Sequence, residues 1–465
     1  MKNNIDTLNR PLPTTLPATF PLEMELPKII EENVGNFCPV CGKIIFSNLL
    51  EIDGKVYLEK NCCTRELVFI ENDVDFFKKY RNNTKDKMLV SCPKNFQEYS
   101  SENPNYGTST VIIFSNTKCN QDCPVCYQKH IKYPNEDLEA PLEEIKKGVE
   151  KCNSREVLMS GGEPTVRKDL LEIIRVIKDS GNIPGIYTNG LKLTDKDYLK
   201  KLKKAGLSII GLQFDGFNRA ANIRFRGQDY LERRLKVLEN IKEVGGLKVE
   251  LMPIIERGLN EAEMSKIIQF GLENELINKI NFSGLLPPPG ENTIPTTCSD
   301  LIKIMEKEGY FDREYYLELV KMYRNIYDIT RKIVGGTPSE GWFFERLYGF
   351  FNVVHFKRKT NPPQLLFQKQ EIEKINKILE AAMNKKSRSA SLCVLLRNSA
   401  ELIKSPLNVI FREKFFLFKR KTTPSNKLLA VNFQQLGGMT NRILKTGRAS
   451  SIILTSIAAF TYVTS

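Results

Sequence analysis

Residues 117–128 read TKCNQDCPVCYQ, and the reading of this stretch decides the fold of the chain around it. It sets Cys119, Cys123 and Cys126 in a C-x-x-x-C-x-x-C spacing, directly after the apolar run Thr110 to Ser115, which has the composition of a buried strand. A cubane 4Fe-4S cluster has four irons, so three thiolates leave the last iron open to a non-protein ligand. A zinc knuckle or a plain electron-transfer cluster recruits a fourth ligand nearby, and neither Tyr127 nor His130 suits that part. The spacing therefore points to a cluster with one reactive iron.

Outward from that strand, from about Ser109 to Phe282, the chain repeats a beta-then-alpha rhythm, the mark of parallel strands joined by helical crossovers. Six strands are expected: Thr110 to Ser115, Glu156 to Ser160, Ile183 to Tyr187, Ser208 to Phe214, Lys248 to Ile254 and Lys279 to Phe282. Helical spacing fills the gaps at Leu142 to Lys151, Lys168 to Asp179, Asp195 to Ala205, Tyr230 to Val244 and Glu261 to Glu273. Gly181, Gly206, Gly245 and Gly246 fall where these helices should stop. The expected class is α/β, a partial (β/α)6 barrel over residues 108–290.

A second landmark follows one strand after the cysteines. Ser160-Gly161-Gly162-Glu163-Pro164 ends the second expected strand. With the cysteine triad it resembles the radical S-adenosylmethionine (SAM) superfamily, over roughly Ser109 to Phe282. The resemblance implies a 4Fe-4S cluster on Cys119, Cys123 and Cys126, and SAM bound at the open iron. Gly161, Gly162, Glu163 and Pro164 are similar to the family's GGEP motif, which contacts the amino group of the methionine moiety. Softer matches are Thr188-Asn189-Gly190, Gln213-Phe214-Asp215-Gly216 and Arg257-Gly258-Leu259-Asn260, each after a strand. They make Thr188, Asn189, Gln213, Asp215 and Asn260 further cofactor-binding candidates, because ligands collect at the carboxyl ends of barrel strands. By the same resemblance, the cluster delivers an electron to the SAM sulfonium, and the resulting 5'-deoxyadenosyl radical abstracts hydrogen from substrate. No catalytic side chain is nominated.

Upstream, residues 31–107 hold five cysteines and a hairpin pattern, CPVCGKIIFSNLLEIDGKVYLEKNCC, turning at Asp53-Gly54. Cys38-Pro39-Val40-Cys41-Gly42 has the knuckle form in which two thiolates grip one metal. Cys62 and Cys92 complete the expected ligand set. Cys63 is spare, because adjacent cysteines rarely face one ion. Structural zinc and rubredoxin-like iron remain equal candidates for this second metal site, and an auxiliary cluster is a third. This module is similar to a branch that includes archaeal tetraether lipid synthases and radical methyltransferase-like proteins. Leu212 to Phe217 and Arg226-Gly227 resemble it too, whereas Pro93-Lys94-Asn95-Phe96 stands where that branch has a cysteine-rich run.

The remaining readings concern the whole chain of 465 residues. Eleven cysteines against two histidines favour thiolate metal chemistry in a reducing compartment. A formal charge of +14 fits anionic partners, yet no nucleic-acid motif accompanies it, so nucleic acid is disfavoured. Residues 1–30 read as a flexible leader without a secretory pattern, which gives a soluble, cytoplasmic expectation. Residues 291–465 read as a mostly helical accessory domain, with Cys152, Cys298 and Cys393 as buried thiols. The aromatic and basic segment Phe411 to Lys421 and the short apolar run Ser450 to Val463 allow peripheral membrane contact. The leading function is a radical SAM oxidoreductase or transferase that acts on an unactivated carbon, of a lipid or another small molecule. Its electron donor would be of the ferredoxin or flavodoxin type. Peptide maturation and non-catalytic cofactor binding are the alternatives.

Overall fold

The computed structural model describes residues 27–37, 44–63, 65–84, 108–126, 139–150, 154–287, 291, 293–334, 353–360, 362–407 and 428–436. The first of two sheets is antiparallel, in the order β1 (Lys28–Phe37), β2 (Ile44–Ile52), β3 (Lys55–Asn61) and β4 (Arg65–Glu71), and helix α1 (Val74–Thr84) follows it. The Asp53-Gly54 turn joins β2 to β3 with φ of 49° and 72°, a left-handed pair that matches the twist of the hairpin. Alternation along β3 buries Val56 and Leu58 against Leu49, Ile70, Val74 and Phe77.

The second sheet contains the barrel strands β5 (Thr108–Asn116), β6 (Ser154–Gly161), β7 (Ile183–Thr188), β8 (Ile209–Leu212), β9 (Lys248–Leu251) and β11 (Ile277–Leu285), paired in parallel in that order. The short β10 (Ile254–Ile255) leans on β11. The crossovers are α2 (Leu142–Glu150), α3 (Leu170–Asp179), α4 (Lys196–Ala205), α6 (Leu231–Val244) and α7 (Glu263–Glu273). Each expected strand and helix of this region forms, with ends moved by up to three residues. Helix α5 (Arg219–Arg226), between β8 and α6, was not expected, being eight residues long. Asn218 caps it through the Ala221 N–H, and it buries Ala221 and Phe225.

Strand alternation gives the sheet two unlike faces. Val111, Val157, Ile186, Ile210, Val249, Ile280 and their neighbours face the crossover helices in one large core. Ile112, Leu158 and Ile209 form a smaller apolar group on the opposite, inner face.

Past residue 290 the described residues are mostly helical but are not separate from the barrel. Helices α8 (Cys298–Lys307), α9 (Arg313–Val334), α10 (Lys369–Met383), α11 (Arg388–Arg397) and α12 (Ser399–Lys404) do form. However, β12 (Val353–Lys357), β13 (Gln364–Leu365) and β14 (Leu428–Leu436) enter the barrel's own sheet. Strand β14 runs parallel to β11, and β12 runs antiparallel to β14. The physical reason is the open edge of β11, whose Ile280 and Phe282 belong to the helix-side core that Leu429 and Val431 continue. Arg358 ties this region to the barrel by donating to the Gly271, Leu272, Asn274 and Ile277 carbonyls at the end of α7. Cys298 is buried as expected, but Cys393 is exposed on α11.

The first sheet docks through α1. Phe76 and Tyr80 stack on Tyr316 of α9 at centroid distances of 6.3 and 6.5 Å. Asp73 meets Lys303 and Arg313, each at 3.1 Å. Among the described residues no helix is long and apolar enough to cross a membrane. Cys38, Cys41, Cys92, Cys152, Phe411 to Lys421 and Ser450 to Val463 lie outside the described residues.

Candidate cluster and cofactor site

The cysteine loop leaves the carboxyl end of β5 and lies directly on the end of β6. Gly162 N–H donates to the Asn116 carbonyl at 2.7 Å, and Glu163 N–H donates to the Lys118 carbonyl at 2.9 Å. The contact leaves no room for side chains on β6. A Cβ on Gly161 would stand 2.3 Å from Asn116 O, and one on Gly162 would stand 2.2 Å from Lys118 O. The two glycines of the motif are thus required by the backbone of the loop above them. On the far side, Val125 packs with Ala221 and Phe225 of α5, Ile254 of β10 and Leu285 of β11.

Within the loop the three sulfurs sense one another. Desolvation, with the Glu163 carboxylate, Cys123 and Cys126 nearby, pushes the Cys119 thiol up to about 11 against the pull of the Gln121 N–H. Burial also raises the Cys123 thiol, although the Arg226 guanidinium, which hydrogen-bonds it, acts in the opposite sense. Bare thiolates are therefore disfavoured here, and cationic iron would relieve their mutual repulsion. Among the described residues, no three His, Cys, Asp or Glu side chains converge on a single-ion position. Thiolates that each take a different iron of a cubane need no such convergence. Both side-chain polar atoms of Gln121, between Cys119 and Cys123, are buried without a hydrogen-bond partner among the described residues. Three thiols in one loop, a cation on Cys123 and an orphaned amide beside them fit a 4Fe-4S cluster with a polar ligand on its open iron.

Glu163 knits the ends of β6 and β7. Its Oε1 accepts from Thr165 N–H at 3.1 Å, Thr165 Oγ1 at 2.6 Å and Thr188 Oγ1 at 2.7 Å, while Oε2 accepts from Asn189 N–H at 2.8 Å. Burial raises its carboxyl above the ordinary range despite these donors. The Asn189 side chain then reaches the cysteine loop, donating to Asn120 Oδ1 at 2.8 Å and towards Cys119 Sγ at 3.9 Å. Gly161, Gly162, Glu163, Pro164, Thr188 and Asn189 therefore gather beside Cys119.

Asp215 and Asn260 are placed differently. Asp215 is fully buried and binds Arg226 through both oxygens at 2.7 Å, and its Oδ1 also accepts from Ile254 N–H. Burial alone would raise its carboxyl, but Arg226, Arg234 and that N–H outweigh it and hold the group below its usual range. Arg234 donates to Asn222 Oδ1 at 2.8 Å and to Gln213 Oε1 at 2.9 Å. Desolvation, only partly offset by Asp215, lowers it to about 10. Asn260 spends both ends of its amide on the Ile254 carbonyl and the Glu256 N–H. These two residues brace loops, and only Asp215 reaches the cysteines, through Arg226. Sequence reasoning missed Gln121, Arg226 and Arg234. Arg226-Gly227 was noted only as a resemblance, and nothing in a linear reading marks Arg234 as buried.

At the other metal position, Cys62 and Cys63 are exposed at the end of β3, their sulfurs 4.0 Å apart.

Residues 113–271 match the model of the Radical SAM superfamily, so the chain carries a radical SAM domain. Among its relatives, the 7,8-dihydro-6-hydroxymethylpterin dimethyltransferase of Methanocaldococcus jannaschii is 32% identical over 306 residues, 60% of this chain and 59% of that protein. The Fe-coproporphyrin III synthase of Methanosarcina barkeri is 36% identical over 38% of this chain and 44% of its own length. The GTP 3',8-cyclase of Clostridium perfringens strain 13 is 30% identical over 41% of this chain and 60% of that enzyme. The chain thus spans about half the length of the curated relatives it matches.

Proposed function

We propose that this chain is a radical SAM enzyme that alkylates, or otherwise forms a bond at, an unactivated carbon of a small heterocyclic substrate held inside the barrel. The observation that carries the reading is the seating of the Cys119, Cys123 and Cys126 loop on Gly161-Gly162, with Glu163 and Asn189 linking that seat to Cys119. When bound, the cluster supplies one electron to the SAM sulfonium, and thereby the means to break an unactivated C–H bond.

The protein's own residues bind and orient. Cys119, Cys123 and Cys126 hold the cluster, Gln121 offers an amide to the cofactor, and Glu163, Thr188 and Asn189 fix the loop ends that receive the methionine moiety. Gln213 borders the same mouth from β8. Asp215, Arg226 and Arg234 position Cys123 and Gln213, and Asn260 holds the turn after β10. The apolar inner face at Ile112, Leu158 and Ile209 keeps water from the chamber.

The methyltransferase relative, whose likeness extends over 306 residues, favours alkylation over other outcomes. That relative is named for a pterin and the cyclase for a guanine nucleotide, which favours a nitrogen heterocycle over the lipid chain also considered. The segment Phe411 to Lys421, on which a membrane contact rested, lies outside the described residues. The formal charge of +14 suits an acidic electron carrier such as a flavodoxin or ferredoxin. For the second metal, Cys62 with Cys38, Cys41 and Cys92 remains the proposed ligand set, on the knuckle spacing of Cys38 and Cys41.

The test is anaerobic purification with iron and sulfide analysis, followed by an assay for 5'-deoxyadenosine under strong reduction. Wild type should load the cluster and cleave SAM, and the Cys119, Cys123 and Cys126 triple alanine variant should do neither. A fully loaded wild type that makes no 5'-deoxyadenosine with candidate substrates present would leave cofactor binding without catalysis.

A further inference from the structure

On the inner face of the barrel, the last strands differ in kind from the first. Val249 and Leu251 of β9, Ile280 and Phe282 of β11, and Leu429 and Val431 of β14 all face the helices. Alternation therefore turns Glu250, Asn281 and Asn432 inward, on the face that carries Ile112, Leu158 and Ile209. These three polar residues are joined. Asn281 Nδ2 donates to Glu250 Oε2 at 3.1 Å, and Asn432 Nδ2 donates to Asn281 Oδ1 at 3.4 Å.

The row continues across the sheet in the other direction. Tyr187, Gly211 and Glu250 are register partners on β7, β8 and β9. A Cβ on Gly211 would stand 2.1 Å from Tyr187 Cδ1, so the aromatic ring lies against the β8 backbone beside Glu250. One row therefore presents an aromatic ring, a carboxylate and two carboxamides. Among the described residues Asn281 donates to Glu250, whose register partner on β11 is Lys279. The Glu250 carboxylate has lone pairs that can accept from the N–H groups of a ligand. Gly211 stands two residues before Gln213, so the row lies about 7 Å below the mouth where the cofactor residues gather.

We propose that Glu250, Asn281 and Asn432 read the donor edge of a 2-amino-4-oxopyrimidine ring, with Tyr187 beside the ring. The proposal rests on the reading of the barrel as the reaction chamber. Such a ring offers an N–H and an adjacent amino group side by side, which match the two oxygens of one carboxylate. Carboxamides next to it can serve the ring's carbonyl and neighbouring nitrogen. Pterins and guanine nucleotides share this edge.

The experiment uses the full chain, anaerobically reconstituted, with SAM present. Binding of 6-hydroxymethylpterin is compared with that of the matching lumazine, in which an oxo group replaces the 2-amino group, and GTP is added as competitor. Wild type should prefer the pterin by roughly tenfold or more, because a site built to accept from an N–H rejects a ring that lacks it. Glu250→Gln should reduce the preference to within about threefold, with iron content as the check that the variant folds. GTP that displaces the pterin assigns the ring to a nucleotide, and GTP that does not assigns it to a free pterin. Equal binding of the two rings by wild type overturns the proposal whatever the variant does, as does an iron-loaded Glu250→Gln that keeps the full preference. A wild type that cleaves SAM yet does not tell the rings apart removes this proposal alone. One that prefers the pterin but never cleaves SAM removes the radical reading and leaves the ring site standing.

Discussion

Cys123 meets the Arg226 guanidinium, and Arg226 is itself clasped by both oxygens of Asp215. This buried cation beside Cys123 should favour the reduced, more negative state of the proposed cluster. Arg226→Ala is therefore expected to lower the midpoint potential by tens of millivolts, and Arg226→Lys to recover part of the shift, both read by EPR-monitored titration. An unchanged potential in an iron-loaded Arg226→Ala protein would reduce Arg226 to a packing role. Leaving Asp215 buried without its partner is also costly, so the alanine variant should load less iron than the lysine one. Residue identities here were legible only in part. Cys119, Cys123, Cys126 and Glu163 stand in recognisable spacing, but Arg226 reaches Cys123 only because α5 folds back over the loop.

At the scale of elements, the docking of the first sheet on the barrel depends on a carboxylate pair. Glu71, at the end of β4, accepts from Ser299 Oγ at 2.7 Å and from Asn72 N–H at 2.7 Å. Asp300 of α8 accepts from Asn72 Nδ2 at 2.7 Å, from Thr297 and from Arg257. Burial, aided by Asp300 and opposed by these donors, raises Glu71 to about 7. A carboxyl raised on folding contributes stability that is fully present below its unfolded value and is lost as pH rises through its folded one. The window is therefore from about pH 4.5 to about pH 7, and the full effect is on the order of 3 kcal/mol. Thermal melts should show the docking weakening across that range, and Glu71→Gln should flatten the dependence. A variant that melts with the wild-type pH profile would place the dependence elsewhere. Sequence periodicity gave β4 and α1 no such role, because Ser299, which donates to Glu71, lies 228 residues along the chain.

For the molecule as a whole, the decisive element is β14, which arrives from the far end of the chain to cover the edge of β11. Leu429 and Val431 lie wholly within the helix-side core. Leu429→Ala should cost about 2–5 kcal/mol by the usual cavity term, seen as a lower urea midpoint for the barrel and reduced iron loading. A midpoint equal to wild type would mean that the barrel does not depend on this strand. The same strand supplies Asn432 to the inner row, so part of the chamber is built from a region that reads, in sequence, as an accessory.

Local pattern alone determined the six barrel strands, their crossovers, the hairpin turn at Asp53-Gly54 and the place of Cys119, Cys123 and Cys126 after β5. Each of these depends on neighbours a few residues apart: alternation, helical spacing, a turn pair, a ligand spacing. Only the tertiary structure decided that β12, β13 and β14 complete the sheet, that Asp215 serves Arg226 while Glu163 serves the β7 end, and that Glu250, Asn281 and Asn432 share a row. Those outcomes depend on which distant backbone edge is left open and which buried charge finds a counter-charge, and such pairings over long separations leave no periodic trace in the sequence.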